Sequence, residues 1–435
     1  MVEGCNTSRT GPRPTLSGAA NPEKAADLRD HGCNAAGAAK IAQAVQPLTI
    51  LVVVPTLDAG AADAGAIDLV RILAAAGHRP IAVSRGGRMT QEIAAAGGEF
   101  VALDVASKNP AVMLANVGKI VRLVRQRQCD VIHAHGRAAA WSAFLGARIT
   151  GVPFFTTWYK GFREQNMLKH LYNGVMARGE RVVAVSDQLA ELINERHRIP
   201  LERISVVPAS VDLERFDPGA VAGERIDAVR RAWGVRRDAQ VILVVGRMVR
   251  RKGHHVVIKA MRRLKDIGCK DFLCVFAAPG QGTSRYLGEL WDLVLSTDTA
   301  DVVRLAGAVD DLPAAYAAAA VVVSGAVEPE GLQRGILEAQ AMSCPVVVSD
   351  LAAGPEVVLA PPAVPEQRMT GLRIPAGNEA ALAAGLVRML SMPEAGRRMI
   401  GGRGRAWMRS QFNAATVAEQ TLALYSGLMR PPRSL

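Results

Sequence analysis

From Leu48 onward the chain alternates strand-length apolar runs with amphipathic stretches, and it does so twice over. The first run, Leu48-Thr-Ile-Leu-Val-Val-Val-Pro55, is apolar at successive positions, as a strand covered on both faces must be. A helical pattern from about 65 to 76 follows it and stops at Gly77-His78, and Pro80-Ile-Ala-Val-Ser84 reads as the next strand. Spacing then predicts helices at 89–97, 110–127, 137–149 and 166–178, with strands at 130–134, 153–157, 181–185 and 204–207. Strands separated by helices run parallel, and a parallel sheet is covered by helices on both sides. The fold class is therefore α/β.

After a polar stretch the alternation restarts. Strands are expected at 241–245, 272–277, 302–306, 321–324, 345–349 and 371–374, with helices at 254–266, 286–296, 311–319, 333–343 and 379–390. A single core rarely grows past about 250–300 residues, so 435 residues that are 49% hydrophobic call for two domains. We expect an N-terminal Rossmann-like domain at 47–215, a linker at 216–238 and a second Rossmann-like domain at 239–410. Residues 1–46, rich in Gly, Ala, Asn and Pro, read as a poorly ordered tail with one short helix around 35–45. Residues 394–430 are helical by period, and the C-terminal helix at 411–435 is expected to pack back on the first domain.

Six cysteines without metal-ligand spacing point to a reducing compartment. No stretch near the start has the apolar run of a signal peptide, and the apolar runs elsewhere are too short to span a bilayer. The expected location is cytoplasmic. The formal charge of +12 asks for an anionic partner. Aromatics at 4% and the lack of a nucleic-acid motif argue against nucleic acid, which leaves phosphorylated substrates or an anionic membrane surface. The stretch from Phe162 to Arg181 mixes Lys169, His170, Arg178 and Arg181 with Leu168, Leu171 and Met176. It reads either as a solvated helix face or as a docking surface for anionic lipid or a lipid-linked acceptor.

In open α/β sheets ligands bind beyond the carboxyl ends of the strands, so chemistry is sought in the loops that follow them. Gly246-Arg247-Met-Val-Arg-Arg-Lys252-Gly253 lies between a strand and a helix start. Free N–H groups there attract anions, while Arg suits bidentate phosphate contact and Lys supplies a point charge. The plainer reading is an exposed basic loop. Glu330-Gly331 and Glu338 flank the start of the helix after the 321–324 strand. A carboxylate accepts two hydroxyl hydrogen bonds and can hold a vicinal diol. Acidic complementation of the helix dipole explains Glu330 but poorly explains Glu338, which sits among Ile336, Leu337, Ala339 and Ala341. His133 and His135 close the 130–134 strand, with His135 nearer its carboxyl end. A lone histidine is more often structural.

Together these loops resemble the family 4 glycosyltransferases of the GT-B fold, over nearly all of residues 48–425. The resemblance includes Asp130-Val-Ile-His-Ala-His135, Val182-Val-Ala-Val-Ser186, Arg203-Ile-Ser-Val-Val-Pro208 with Val211-Asp212, Pro345-Val-Val-Val-Ser-Asp350 with Glu356, and Thr370-Gly371-Leu372. It implies two doubly wound domains facing a central cleft, and a retaining transfer from a nucleotide-diphosphate sugar without a divalent metal or other cofactor. It also implies that Arg247 and Lys252 hold the donor diphosphate, Glu330 the sugar hydroxyls and Glu338 the ribose diol. His135 lies against the donor sugar, and acceptor binding falls to the N-terminal domain. The family's first loop brings two adjacent glycines to the phosphate; here it reads Asp58-Ala-Gly60-Ala61-Ala-Asp63, with Gly60 the donor-contacting position. Gly-Phe-Gly after the first glutamate becomes Gly331-Leu332-Gln333. The expected acceptor is a cell-envelope glycan or lipid-linked sugar reached by peripheral contact with the inner membrane. The rival reading is a weakened GT-B protein that binds nucleotide or assists a partner enzyme.

Overall fold

The computed structural model describes residues 47–58, 60–161, 167–236, 238–277 and 284–428. The expected tail, 1–46, and its short helix lie outside them.

The first half of the chain runs β1 (Thr49–Val53), α1 (Ala61–Ala75), β2 (Arg79–Ser84), α2 (Thr90–Ala95), β3 (Glu99–Ala102), α3 (Pro110–Arg127), β4 (Val131–Ala134), α4 (Arg137–Thr150), β5 (Phe154–Trp158), α5 (Met167–Gly174), β6 (Arg181–Ala184), α6 (Asp187–His197) and β7 (Ile204–Val206). The second runs α7 (Gly223–Ala232), β8 (Gln240–Val245), α8 (His254–Asp266), β9 (Phe272–Ala277), α9 (Ser284–Ser296), β10 (Val303–Gly307), α10 (Leu312–Ala317), β11 (Val321–Ser324), α11 (Arg334–Ala341), β12 (Val346–Ser349), β13 (Gly371–Ile374), α12 (Glu379–Leu390), α13 (Glu394–Gln411) and α14 (Ala414–Ala423). Two parallel sheets result, ordered β3-β2-β1-β4-β5-β6-β7 and β10-β9-β8-β11-β12-β13, within one packed unit.

Alternation along the central strands explains the two-sided cover. Leu51 and Val53 enter a core with Ile120 and Val124 of α3, while Ile50 and Val52 face Ile67 and Val70 of α1. In the second sheet, Ile242 and Val244 meet α8 and α12, whereas Val241 and Leu243 meet Tyr316, Ile336 and Leu337.

Four elements differ from expectation. Strand β3 was not expected: it is a short strand at the sheet edge, with Glu99 and Ala102 exposed and Phe100 and Val101 only half-buried. Helix α6 has only Leu189, Ala190 and Ile193 to bury, too thin a stripe to read. Helix α1 begins four residues before position 65, at Ala61, because Gly60 caps it in an extended conformation. Helix α7 was not expected: it lies within the expected linker, 216–238, where Phe216 and Trp233 are buried in the second sheet's core.

The C-terminal segment returns to the first sheet. Tyr425 is fully buried against Phe155, with Leu422, Leu424 and Leu428 packed around the same cluster. Among the described residues no helix is long and apolar enough to cross a membrane.

Candidate active site

Each sheet reverses its strand order once, between β1 and β4 in the first and between β8 and β11 in the second. At such a switch point neighbouring connections leave in opposite directions and open a crevice at the strand ends. His135 follows β4 and donates its backbone N–H to Val53 O of β1 at 2.8 Å, which puts it at the first switch point. The loops 246–253 and 325–333 follow β8 and β11, at the second, and Val327 N–H bonds Arg251 O at 2.9 Å to join them. Gly253 makes this approach possible. Its φ is +67°, and a Cβ there would lie 1.7 Å from Gly325 O.

The two crevices meet at Glu330. Its backbone forms an antiparallel bridge with Lys160 of the loop after β5 and donates to Leu351 O at 3.0 Å. Contact here is too close for side chains: a Cβ on Gly331 would come within 2.5 Å of Tyr159 O, and one on Gly161 within 2.6 Å of Pro329 Cβ. Glu330 Oε1 lies 3.1 Å from Arg251 and Oε2 lies 3.2 Å from Lys252, with side-chain exposures of only 11%, 25% and 15%. Burial lowers the Lys252 ammonium below its ordinary range; Glu330 opposes that change, and Arg251 and Arg247 reinforce it. Arg247 is exposed. Desolvation and the charges of Arg251, Arg137 and Arg247 lower Lys160, with Glu330 again opposing. Arg251 and Lys252 thus pair with one carboxylate, and Lys160, Arg247 and Arg137 lie near enough for their charges to act on this cluster, a local excess of positive charge suited to a polyanion.

Glu338 projects from α11. Its Oε2 accepts a 2.7 Å hydrogen bond from the Tyr316 hydroxyl of α10. Burial holds this carboxyl above the usual carboxylate range, while the Tyr316 bond, Arg334 and Arg215 oppose.

On the other wall, His135 is buried, and burial lowers it to about 3. Its Nδ1 lies 2.8 Å from the Tyr159 hydroxyl, and its Nε2 has no hydrogen-bond partner. If Tyr159 donates, the proton sits on Nε2. His135, Tyr159, Gly65, Ser210 and Thr421 line a cavity of about 60 Å³. His133 differs: its Nδ1 is 2.6 Å from the Tyr425 hydroxyl and its Nε2 is 2.7 Å from Thr157 Oγ1, so both nitrogens are satisfied inside the fold.

Gly60 is held within its own loop. Its N–H donates to the Asp63 carboxylate at 2.9 Å, and Asp58 N–H donates to the same oxygen at 3.0 Å. Asp63 thus gathers the amides of this loop onto one carboxylate oxygen. Of the sequence-derived residues, Lys252 and Glu330 are in direct contact and Gly331 adjoins them, while Glu338 and His135 occupy separate walls. Sequence reasoning missed Arg251, Lys160, Tyr159 and Tyr316. Arg251 was visible as a charge in a basic loop, but Tyr316 carried no signal, because only the fold brings it to Glu338.

Two facing switch points with a charged seam between them define a GT-B architecture. Residues 64–215 match the model for Glycosyltransferase Family 4, and residues 239–392 match the model for Glycosyl transferases group 1. A D-inositol 3-phosphate glycosyltransferase of Actinosynnema mirum is 30% identical over 305 residues, covering 65% of this chain and 70% of that one. A glycosyltransferase crystal structure from Rickettsia africae superposes with a TM-score of 0.78 at 26% identity, covering 88% of this chain and 99% of the other. Anabaena HepE, solved with UDP and with UDP-glucose, shares the fold at a TM-score of 0.74 and 18% identity, over 87% of this chain and all of its own. The chain belongs to the family 4, group 1 glycosyltransferases.

Proposed function

We propose that the protein is a retaining, metal-independent glycosyltransferase that moves a hexosyl or N-acetylhexosaminyl group from a nucleotide-diphosphate sugar to a cell-envelope glycan or lipid-linked acceptor. The observation that carries this reading is the convergence on one seam of Lys252, Arg251 and Glu330 from the second sheet with Lys160 from the first. Binding of UDP and UDP-glucose by the structurally similar Anabaena protein supports a nucleotide-sugar donor.

In this reading the residues of the second sheet hold the donor and those of the first hold the acceptor. Arg247, Lys252 and the start of α8 bind the diphosphate and stabilise it as its charge develops during bond breaking, where preorganised electrostatics lowers the barrier most. Glu338, oriented by Tyr316, accepts from the ribose diol. Glu330 accepts from donor-sugar hydroxyls, and His135 Nε2 faces the sugar from the opposite wall. The bond from C1 to the phosphate oxygen breaks as the acceptor oxygen bonds C1 on the same face. The acceptor proton passes to the leaving phosphate, so no protein nucleophile is required. The cations supply the charge that a divalent metal supplies elsewhere. The acceptor reaches the cleft from a membrane surface through α5, where Met167 and Leu168 are 86% and 77% exposed beside Lys169. An apolar face with adjoining positive charge suits anionic lipid.

A thermal-shift panel of UDP, GDP, ADP and their glucose conjugates, run with and without EDTA, tests the reading. One nucleotide at about 100 times its dissociation constant should add roughly 2.7 kcal/mol of stability, unchanged by EDTA. No shift with any nucleotide contradicts the donor assignment, and a shift that EDTA abolishes contradicts metal independence.

A further inference from the structure

Glu330 is gripped from two sides, and the two grips are not equivalent. Its backbone is fixed by Lys160, by Leu351 O and by the contacts at Gly161 and Gly331. Its carboxylate is divided, with Oε1 on Arg251 and Oε2 on Lys252. Lys252 is a cation that an arriving diphosphate needs, so a donor cannot bind there while Lys252 stays committed to Glu330. Arg251 can keep the carboxylate. Its guanidinium is permanently charged and presents a rigid fork, and its own backbone is tied to Val327.

We propose that Arg251 is a positioning residue for sugar recognition: it holds Glu330 by Oε1 while Lys252 exchanges Oε2 for the donor phosphate, leaving that oxygen to the sugar hydroxyls. In the empty site Glu330 neutralises the cations that the diphosphate later occupies. On donor binding one ion pair is traded for another, and Arg251 keeps the carboxylate from following Lys252 or swinging to solvent. Arg251 thus acts on the donor through Glu330 and not by direct contact with phosphate. The inference rests on the nucleotide-sugar reading above and deepens it.

The consequence is non-additivity. Two residues that act through one contact lose their joint effect once, whereas independent contacts lose it twice. UDP-glucose is the probe, with affinity measured by calorimetry and transfer by kcat and KM. Arg251→Gln in the wild-type background should weaken UDP-glucose about tenfold and lower kcat. In a Glu330→Gln background the same substitution should change affinity less than about twofold beyond the charge effect of Arg250→Gln. Arg250 pairs instead with Glu289 and serves as the control for lost charge. Arg251→Lys, which keeps one donor to Oε1, should recover part of both kcat and affinity, a rescue that a purely structural role would not give. Unchanged melting temperatures check that each variant folds.

Equal losses in the two backgrounds would overturn the proposal and make Arg251 a phosphate ligand. Wild-type affinity and rate in Arg251→Gln would overturn it too. Failure of the wild-type protein to bind any of UDP-, GDP- or ADP-glucose would instead overturn the donor reading itself, and this inference with it.

Discussion

Glu356 shows how a single residue couples this site's surroundings to pH. Both of its carboxylate oxygens are buried with no well-formed hydrogen bond, and a Cβ on Gly354 would lie 2.1 Å from one of them. Burial raises its pKa from 4.5 to about 7; the nearby backbone amides of Glu356 and Asp187 and the Arg373 charge oppose the rise, and the Asp187 carboxylate adds to it. The folded state therefore binds a proton that the unfolded state has released between about pH 4.5 and 7, so this group's contribution to stability is lost as pH rises through 7. Glu356→Gln should gain about 3 kcal/mol over wild type at pH 8, since each tenfold change in proton affinity is worth roughly 1.4 kcal/mol. It should gain nothing at pH 4. Melting temperatures at the two pH values check it, and a variant less stable at pH 8 would mean that the ionised carboxylate has a partner. At this scale the sequence was legible where charge sat in an apolar setting, as at Glu338, or beside a strand end, as at Lys252. It was silent where a partner comes from elsewhere in the chain. Tyr316 reaches Glu338 across 22 positions, Lys160 reaches Glu330 across 170, and the Asp63 grip on Gly60 shows only in the folded loop.

Elements were legible in proportion to what they bury. The strand β9 and the helices α3, α8 and α12 have the limits that spacing predicts, because each carries an unbroken apolar run or stripe into a core. Helix α7 buries no residue of its own and β3 forms a sheet edge, so tertiary contact decides them more than pattern does. The C-terminal segment adds an element-scale test. Tyr425 is fully buried, donates to or accepts from His133 at 2.6 Å, and packs 5.6 Å from the Phe155 ring. It joins the end of the chain to the strand that carries His135. Tyr425→Phe removes one partner of a buried imidazole and should cost about 1–3 kcal/mol. Tyr425→Ala adds a cavity and should cost about 3–5 kcal/mol. Both values come from thermal unfolding, with limited proteolysis after residue 413 reporting release of the segment. A Tyr425→Ala protein as stable and as resistant as wild type would show that the segment does not fasten the first sheet.

For the whole molecule, the two switch points matter more than any one loop. Alternation of strands and helices foretold two parallel sheets, and the strand order then placed both motif loops of the second sheet at one crevice. How the halves meet was not legible: Gly331 is expected in the donor site and Gly161 carries no expectation, yet the two let backbones approach to distances that side chains would forbid. That contact sets Glu330 apart from Glu338. Glu330 lies on the seam with the first sheet, while Glu338 stands on α11 beside Tyr316, within the second. The central claim is that Glu338 holds the nucleotide and Glu330 the sugar. The most direct test measures nucleoside-diphosphate affinity and sugar transfer in Glu338→Ala and Glu330→Ala side by side. Loss of a charged hydrogen bond of about 1.5–3 kcal/mol should weaken the bare diphosphate roughly 10- to 150-fold in Glu338→Ala. Glu330→Ala should not weaken that affinity, since it frees Lys252 for the phosphate, yet it should suppress transfer, because the sugar is no longer oriented as its bond breaks. Transfer at the wild-type rate by Glu330→Ala, or unaltered diphosphate affinity in Glu338→Ala, would contradict the account.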